Sequence, residues 1–143
     1  MAKKNLLLGM LVVVLAFGMT AVGCDDGSTD GFTGDTALNG TWVDGRSYYK
    51  LENGSFERGR DNSPLAKGTY TTSGSQITLS PTHIHGSYIG LESIWYSKDE
   101  FETALPGDAH IDIFLPITGT YSIKGNTFTL TFFGEGPQVY TKE

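Results

Sequence analysis

His83-Ile84-His85 is the pattern in this chain with the plainest chemistry. Side chains two apart on a strand share a face, so both imidazoles could reach one metal ion, Zn²⁺ being a frequent guest of such pairs. Asp108, His110 and Asp112 could add ligands from another segment. Pro81-Thr82 before the pair and Gly86 after it suit a loop of surface histidines equally well. Asp99, Glu100 and Glu102 could imitate the carboxylate pair of a glycosidase, or simply solvate a loop. The chain has no Gly-x-Ser-x-Gly turn, no Gly-Lys phosphate loop and no Gly-x-Gly-x-x-Gly leading into a helix. It therefore reads as non-enzymatic, with no cofactor expected and His83 and His85 as the only metal candidates. The aromatics offer a different chemistry, since Trp42, Tyr70, Trp95 and Tyr121 could line a pocket for an apolar ligand or fill a core.

Cys24 is the remaining reactive side chain and the only cysteine. With no disulfide partner in the chain, its thiol needs another use. Ahead of it, Lys3 and Lys4 form a positive end and Leu6 to Phe17 an apolar run. Thr20-Ala21-Val22-Gly23 then supplies mostly small residues, which completes the layout of a secretory leader. The run is short for a spanning helix, which wants about 20 residues. Ala21-Val22-Gly23-Cys24 resembles the lipobox of bacterial lipoproteins, with Ala21 where that family prefers leucine. The resemblance implies a diacylglycerylated thiol, cleavage just before it and acylation of the new amine. General signal-peptidase cleavage nearby and an uncleaved anchor are the other readings. The expected organisation is a signal peptide over residues 1–23, a polar tether over 24–37 and one domain over 38–143. The protein would then sit in the cell envelope on a bacterial membrane, inner or outer left open.

Charge narrows the partners. The whole chain carries −6, and from Cys24 onward eight basic residues face sixteen acidic ones. A chain this acidic and without a basic cluster is poorly suited to nucleic acid or anionic headgroups.

The elements that would position these residues are strands. Residues 67–80 align without gaps onto residues 118–131, and each copy reads as a hairpin. Tyr70, Thr72, Ile77 and Leu79 alternate with polar residues in the first copy. Tyr121, Ile123, Phe128, Leu130 and Phe132 do so in the second, with turns expected at Ser73-Gly74 and Lys124-Gly125. Asn53-Gly54 between residues 48–52 and 55–58 predicts a type I′ hairpin. Residues 41–43, 93–97, 111–115 and 138–142 supply further strands, and 99–105 a helical turn or a loop. The domain's glycines mostly mark turns. About eight strands joined as neighbours predict an all-β, antiparallel up-and-down barrel, with a β-sandwich as the alternative.

Gly40-Thr41-Trp42 on the first strand resembles the Gly-x-Trp signature that opens the lipocalin fold. With the lipobox, the polar tether and the Gly-Thr-Tyr hairpins, residues 38–143 are similar to small lipocalin-like lipoproteins of spirochaetes and related bacteria. In lipocalins the tryptophan plugs one end of the barrel and a late arginine packs across it; here Lys142 is the residue that could take that part. The resemblance implies a barrel holding a small apolar ligand. The alternative is a surface interaction protein, an adhesin or inhibitor, working through the loops. A hollow interior of roughly 300 Å³ or more would favour the first, and a packed interior with an exposed apolar patch the second.

Overall fold

The computed structural model describes residues 33–107 and 109–143, with the backbone alone over 109–111. The expected leader, Cys24 and the tether as far as Phe32 lie outside the described residues. Nine strands are present: β1 (Gly40–Val43), β2 (Ser47–Glu52), β3 (Ser55–Arg60), β4 (Ser63–Ser73), β5 (Gln76–His85), β6 (Trp95–Ser97), β7 (Ile117–Lys124), β8 (Thr127–Phe132) and β9 (Gln138–Lys142). Among the described residues one α-helix, α1, spans Lys98–Ala104.

Eight of the strands close into an antiparallel barrel in the order β1-β2-β3-β4-β5-β7-β8-β9, and β9 returns to β1 where Trp42 faces Lys142. Closure removes the open edges that a sheet of this size would otherwise expose. The expected all-β, lipocalin-like barrel is therefore the architecture found. The extra strand, β6, pairs with the far end of β5 at His83–His85.

The internal repeat sets half of the wall. Tyr70 faces Leu79 and Ser73 faces Gln76 in the first copy; Tyr121 faces Leu130 and Lys124 faces Thr127 in the second. The registers correspond residue for residue, and β5 pairs with β7 to join the two hairpins side by side. The turn tips are Gly74-Ser75 and Gly125-Asn126, one residue later than expected. Glycine comes first in each, at φ +58°, as a type II′ turn requires. Asn53 and Gly54 are both at positive φ, the expected type I′ pattern. Asp61 and Asn62, also at positive φ, make a similar turn between β3 and β4 that the sequence reading does not place.

Two further expectations are corrected. Residues 111–115 alternate like a strand, yet Ala109–Phe114 is a 3₁₀ helix. Pro116 lacks the N–H a continuing ladder would need, and Phe114 gains more by packing edge-on against Phe101, centroids 5.6 Å apart. The strand expected over 93–97 shortens to Trp95–Ser97. Ser97 then caps α1, its side chain and that of Glu100 forming a reciprocal capping box.

Large apolar side chains pack together in the interior. Trp42, Tyr70, Phe128, Leu130 and Tyr140 are fully buried in one cluster with Leu38, Tyr49, Leu51, Phe56, Ile77 and Leu79. Ring centroids lie 5.4 Å apart for Trp42–Phe128, 5.8 Å for Phe128–Tyr140 and 5.3 Å for Tyr49–Tyr140. A second, smaller cluster of Ala66, Ile84, Phe101 and Phe114 sits beneath the excursion between β5 and β7.

Residues 35–38, mostly assigned to the tether by their polar composition, close one end of the barrel. The Asp35 backbone N–H donates to Thr72 Oγ1 (3.0 Å), and Tyr121 Oη donates to Asp35 Oδ2 (3.0 Å). Trp42 Nε1 donates to the Leu38 carbonyl (2.7 Å), and Leu38 is fully buried. Lys142 Nζ stands 5.1 Å from the centre of the Trp42 ring, so a late lysine does pack across the tryptophan. Gly40 leaves room for it, because a Cβ there would lie 2.7 Å from Lys142 Cε.

Candidate functional site

The four aromatic ligand candidates do not form one pocket. Trp42 and Tyr70 are buried in the core beside the half-buried Tyr121, packed by their own neighbours. Trp95 lies apart on β6, with Lys67 Nζ 4.6 Å from its ring centre and the His85 ring edge-on at 5.1 Å.

The histidine pair belongs to β5 and is paired with β6 rather than held in a loop. His83 and His85 share a face, as their spacing predicts. His83 Nδ1 is 3.0 Å from Thr82 Oγ1, and His85 Nδ1 is 2.6 Å from Ser87 Oγ. Among the described residues no group of three metal-ligating side chains converges. Asp108 and the His110 side chain lie outside them, and Asp112 is exposed. Two of the acidic trio are accounted for by helix chemistry. Asp99 and Glu100 occupy the first turn of α1, where carboxylates favour the helix dipole, and the hydrogen bonds from Ser97 hold the Glu100 carboxyl below its usual range.

A further concave feature lies at the mouth, the barrel end opposite the 35–38 segment. Here β2, β4, β7 and β9 begin while β1, β3, β5 and β8 end. An open recess of about 590 Å³ is lined there by Tyr49, Arg58, Ile117, Phe132, Phe133 and Gln138, among others. Arg58 faces inward, because it shares the phase of buried Phe56 and lies between Tyr49 and Ala66 in the ladder. Tyr140 Oη donates to Gln138 Oε1 (2.7 Å), and Gln138 Nε2 donates to Glu135 Oε2 (2.9 Å). Burial raises the Tyr140 phenol well above its ordinary value, the nearby carboxylates add to this, and Arg58 opposes it. At the rim Phe133 is fully exposed, and Leu115 is exposed beside Pro116.

Sequence reasoning missed both Arg58 and Phe133. Arg58 carried a signal, since it puts a charge on the inward phase of a strand. Phe133 did not, because it follows Phe132 just where the alternation ends. A shallower groove on the outer wall, about 420 Å³ and bordered by Lys50, Glu57, Lys67 and His83, is partly bridged by a Lys50–Glu57 ion pair at 3.7 Å.

Compared with protein-family models, curated proteins and solved structures, the chain finds no match.

Proposed function

We propose that this protein is an envelope lipoprotein, anchored through an acylated Cys24, whose barrel is a non-enzymatic module that meets a protein partner at its mouth. The observation that carries the reading is the filled interior. The inward rings of Trp42, Tyr49, Phe128 and Tyr140 contact one another, which leaves no berth for a ligand among them. Of the exposed large apolar side chains, Phe133 lines the mouth recess and Leu115 adjoins its Pro116, and such patches are where partners dock. The lipobox and leader layout support the anchor, and two or three acyl chains at ~0.8 kcal/mol per buried CH₂ would make it durable. The described chain enters the barrel at its closed end through Asp35, and the mouth is the opposite end.

Photo-crosslinking in intact cells tests the mouth directly. A benzophenone amino acid at position 133 should give a discrete protein adduct, and the same probe at Thr78 on the outer wall should not. Equal adducts from both positions, or none from 133, would reject the proposal. The anchor is tested apart: Cys24→Ala should abolish incorporation of labelled fatty acid and release the protein from membranes.

A further inference from the structure

The chain has three arginines, and two of them are paired. Arg46 holds Asp61 through both Nε and Nη2 at 2.9 Å, and Arg60 Nε lies 3.7 Å from the same carboxylate, all on the exposed β3–β4 turn. Arg58 differs. It is half-buried, points into the mouth recess, and among the described residues has neither an ion-pair partner nor a hydrogen bond. The carboxylates nearby are committed elsewhere. Glu135 accepts from Gln138, and Asp44 accepts from the backbone N–H groups of Arg46 and Ser47. A guanidinium presents five donors in a fixed fork that matches a carboxylate. Set among Tyr49, Ile117 and Phe132 it is less well solvated than a surface arginine, so a matching anion gains more there than in open water.

Building on the mouth as the docking face, we propose that its recess receives an acidic side chain of the partner. The carboxylate pairs with Arg58, and a neighbouring apolar side chain lies on Phe132 and Phe133. Charge complementarity selects the acid. The apolar rim selects a polypeptide over a small free acid, because Leu115 is exposed outside the recess lining and Phe133 on its rim is fully exposed, so that a small acid seated at Arg58 would leave apolar surface bare.

The test is selection of a random 12-residue phage-displayed peptide library on the full-length protein in detergent. Enriched sequences should combine Asp or Glu with an adjacent Leu, Phe or Tyr. A synthetic peptide from the selection should lose about tenfold or more in affinity on Arg58→Gln, part of which Arg58→Lys restores. Phe133→Ser should weaken it too, with thermal melting of each variant showing that the barrel is intact. Failure to enrich any sequence, enrichment of peptides without an acid, or indifference to Arg58→Gln would overturn the carboxylate proposal. A peptide sensitive to Phe133→Ser yet indifferent to Arg58→Gln would leave the mouth standing and remove the acid. Indifference to both would remove the mouth as well.

Discussion

At the scale of single residues, the glycines separate turn chemistry from close packing. Gly68 and Gly119 occupy the same place in the two repeat copies, each before Thr-Tyr, inside strands. A Cβ on Gly68 would lie 2.1 Å from the Ser80 carbonyl oxygen, and one on Gly119 would lie 2.6 Å from that of Thr131. Ser80 and Thr131 are themselves equivalent in the repeat, so the same clash is built in twice. Gly-Thr-Tyr is therefore a packing requirement, an exception among domain glycines that mostly stand at positive φ in turns, as expected. Gly68→Ala and Gly119→Ala should each cost about 2–4 kcal/mol in urea unfolding, since backbone has to move. Gly136, with nothing near its Cβ position, should tolerate alanine within about 0.5 kcal/mol. Equal effects at the three positions would contradict this account.

Tyr48 gives a pH signature. Its ring covers Gly59, and its Oη donates to Glu57 Oε1 at 2.9 Å. Burial, then the Glu57 hydrogen bond and charge, push the phenol from 10.0 up to about 12. Folding favours the protonated form, so this contribution is whole below pH 10 and is lost as pH rises from 10 to 12. The stability difference between wild type and Tyr48→Phe should shrink across that window in unfolding series at fixed pH. A difference constant with pH would show that the phenolic proton is not involved.

At the scale of elements, the sequence speaks most clearly where structure is local. The two repeat hairpins were legible because alternation, turn glycine and register all lie within fourteen neighbouring residues. The 3₁₀ helix over 109–114 was not, because Ile111-Asp-Ile-Phe alternates like a strand while Pro116 and contact with Phe101 decide the outcome. The 35–38 segment was equally opaque. Its composition is that of a linker, and its structure comes from bonds to Thr72 and Tyr121, far along the chain. Leu38→Ala should therefore destabilise the barrel by about 2–5 kcal/mol, a lower urea midpoint being the readout. A Leu38→Ala protein as stable as wild type would return the segment to the tether. The candidate site divides the same way. Arg58 was missed although its place on an inward strand phase carried a signal, whereas the rim depends on where β8 stops and on a loop whose fold is set by distant contacts.

At the scale of the whole molecule, closure and packing bear on where the proposed binding would take place. An eight-stranded barrel has an interior just wide enough to be filled by side chains or to hold one small ligand. Here the aromatic residues choose the first outcome, and the lysine–tryptophan stack with the 35–38 segment seals one end. On the proposed reading recognition falls to the outside, where the mouth combines exposed apolar groups with an arginine that has no ion pair or hydrogen bond among the described residues. The acidic surface that argues against nucleic acid also means that long-range attraction contributes little to meeting an acidic partner. Specificity would then rest on contact at the recess, with modest on-rates.

The filled interior is the premise under all of this, and it can be probed from within. The chain has two tryptophans, Trp42 inside the barrel and Trp95 outside it. In the Trp95→Phe variant, emission reports Trp42 alone, and a series of apolar ligands such as a polyene fatty acid and retinol can be titrated against it. A solid core predicts no saturable quenching and no energy transfer from Trp42 to either ligand. Stoichiometric quenching of Trp42 would show that the barrel opens to take a ligand, and would contradict the account.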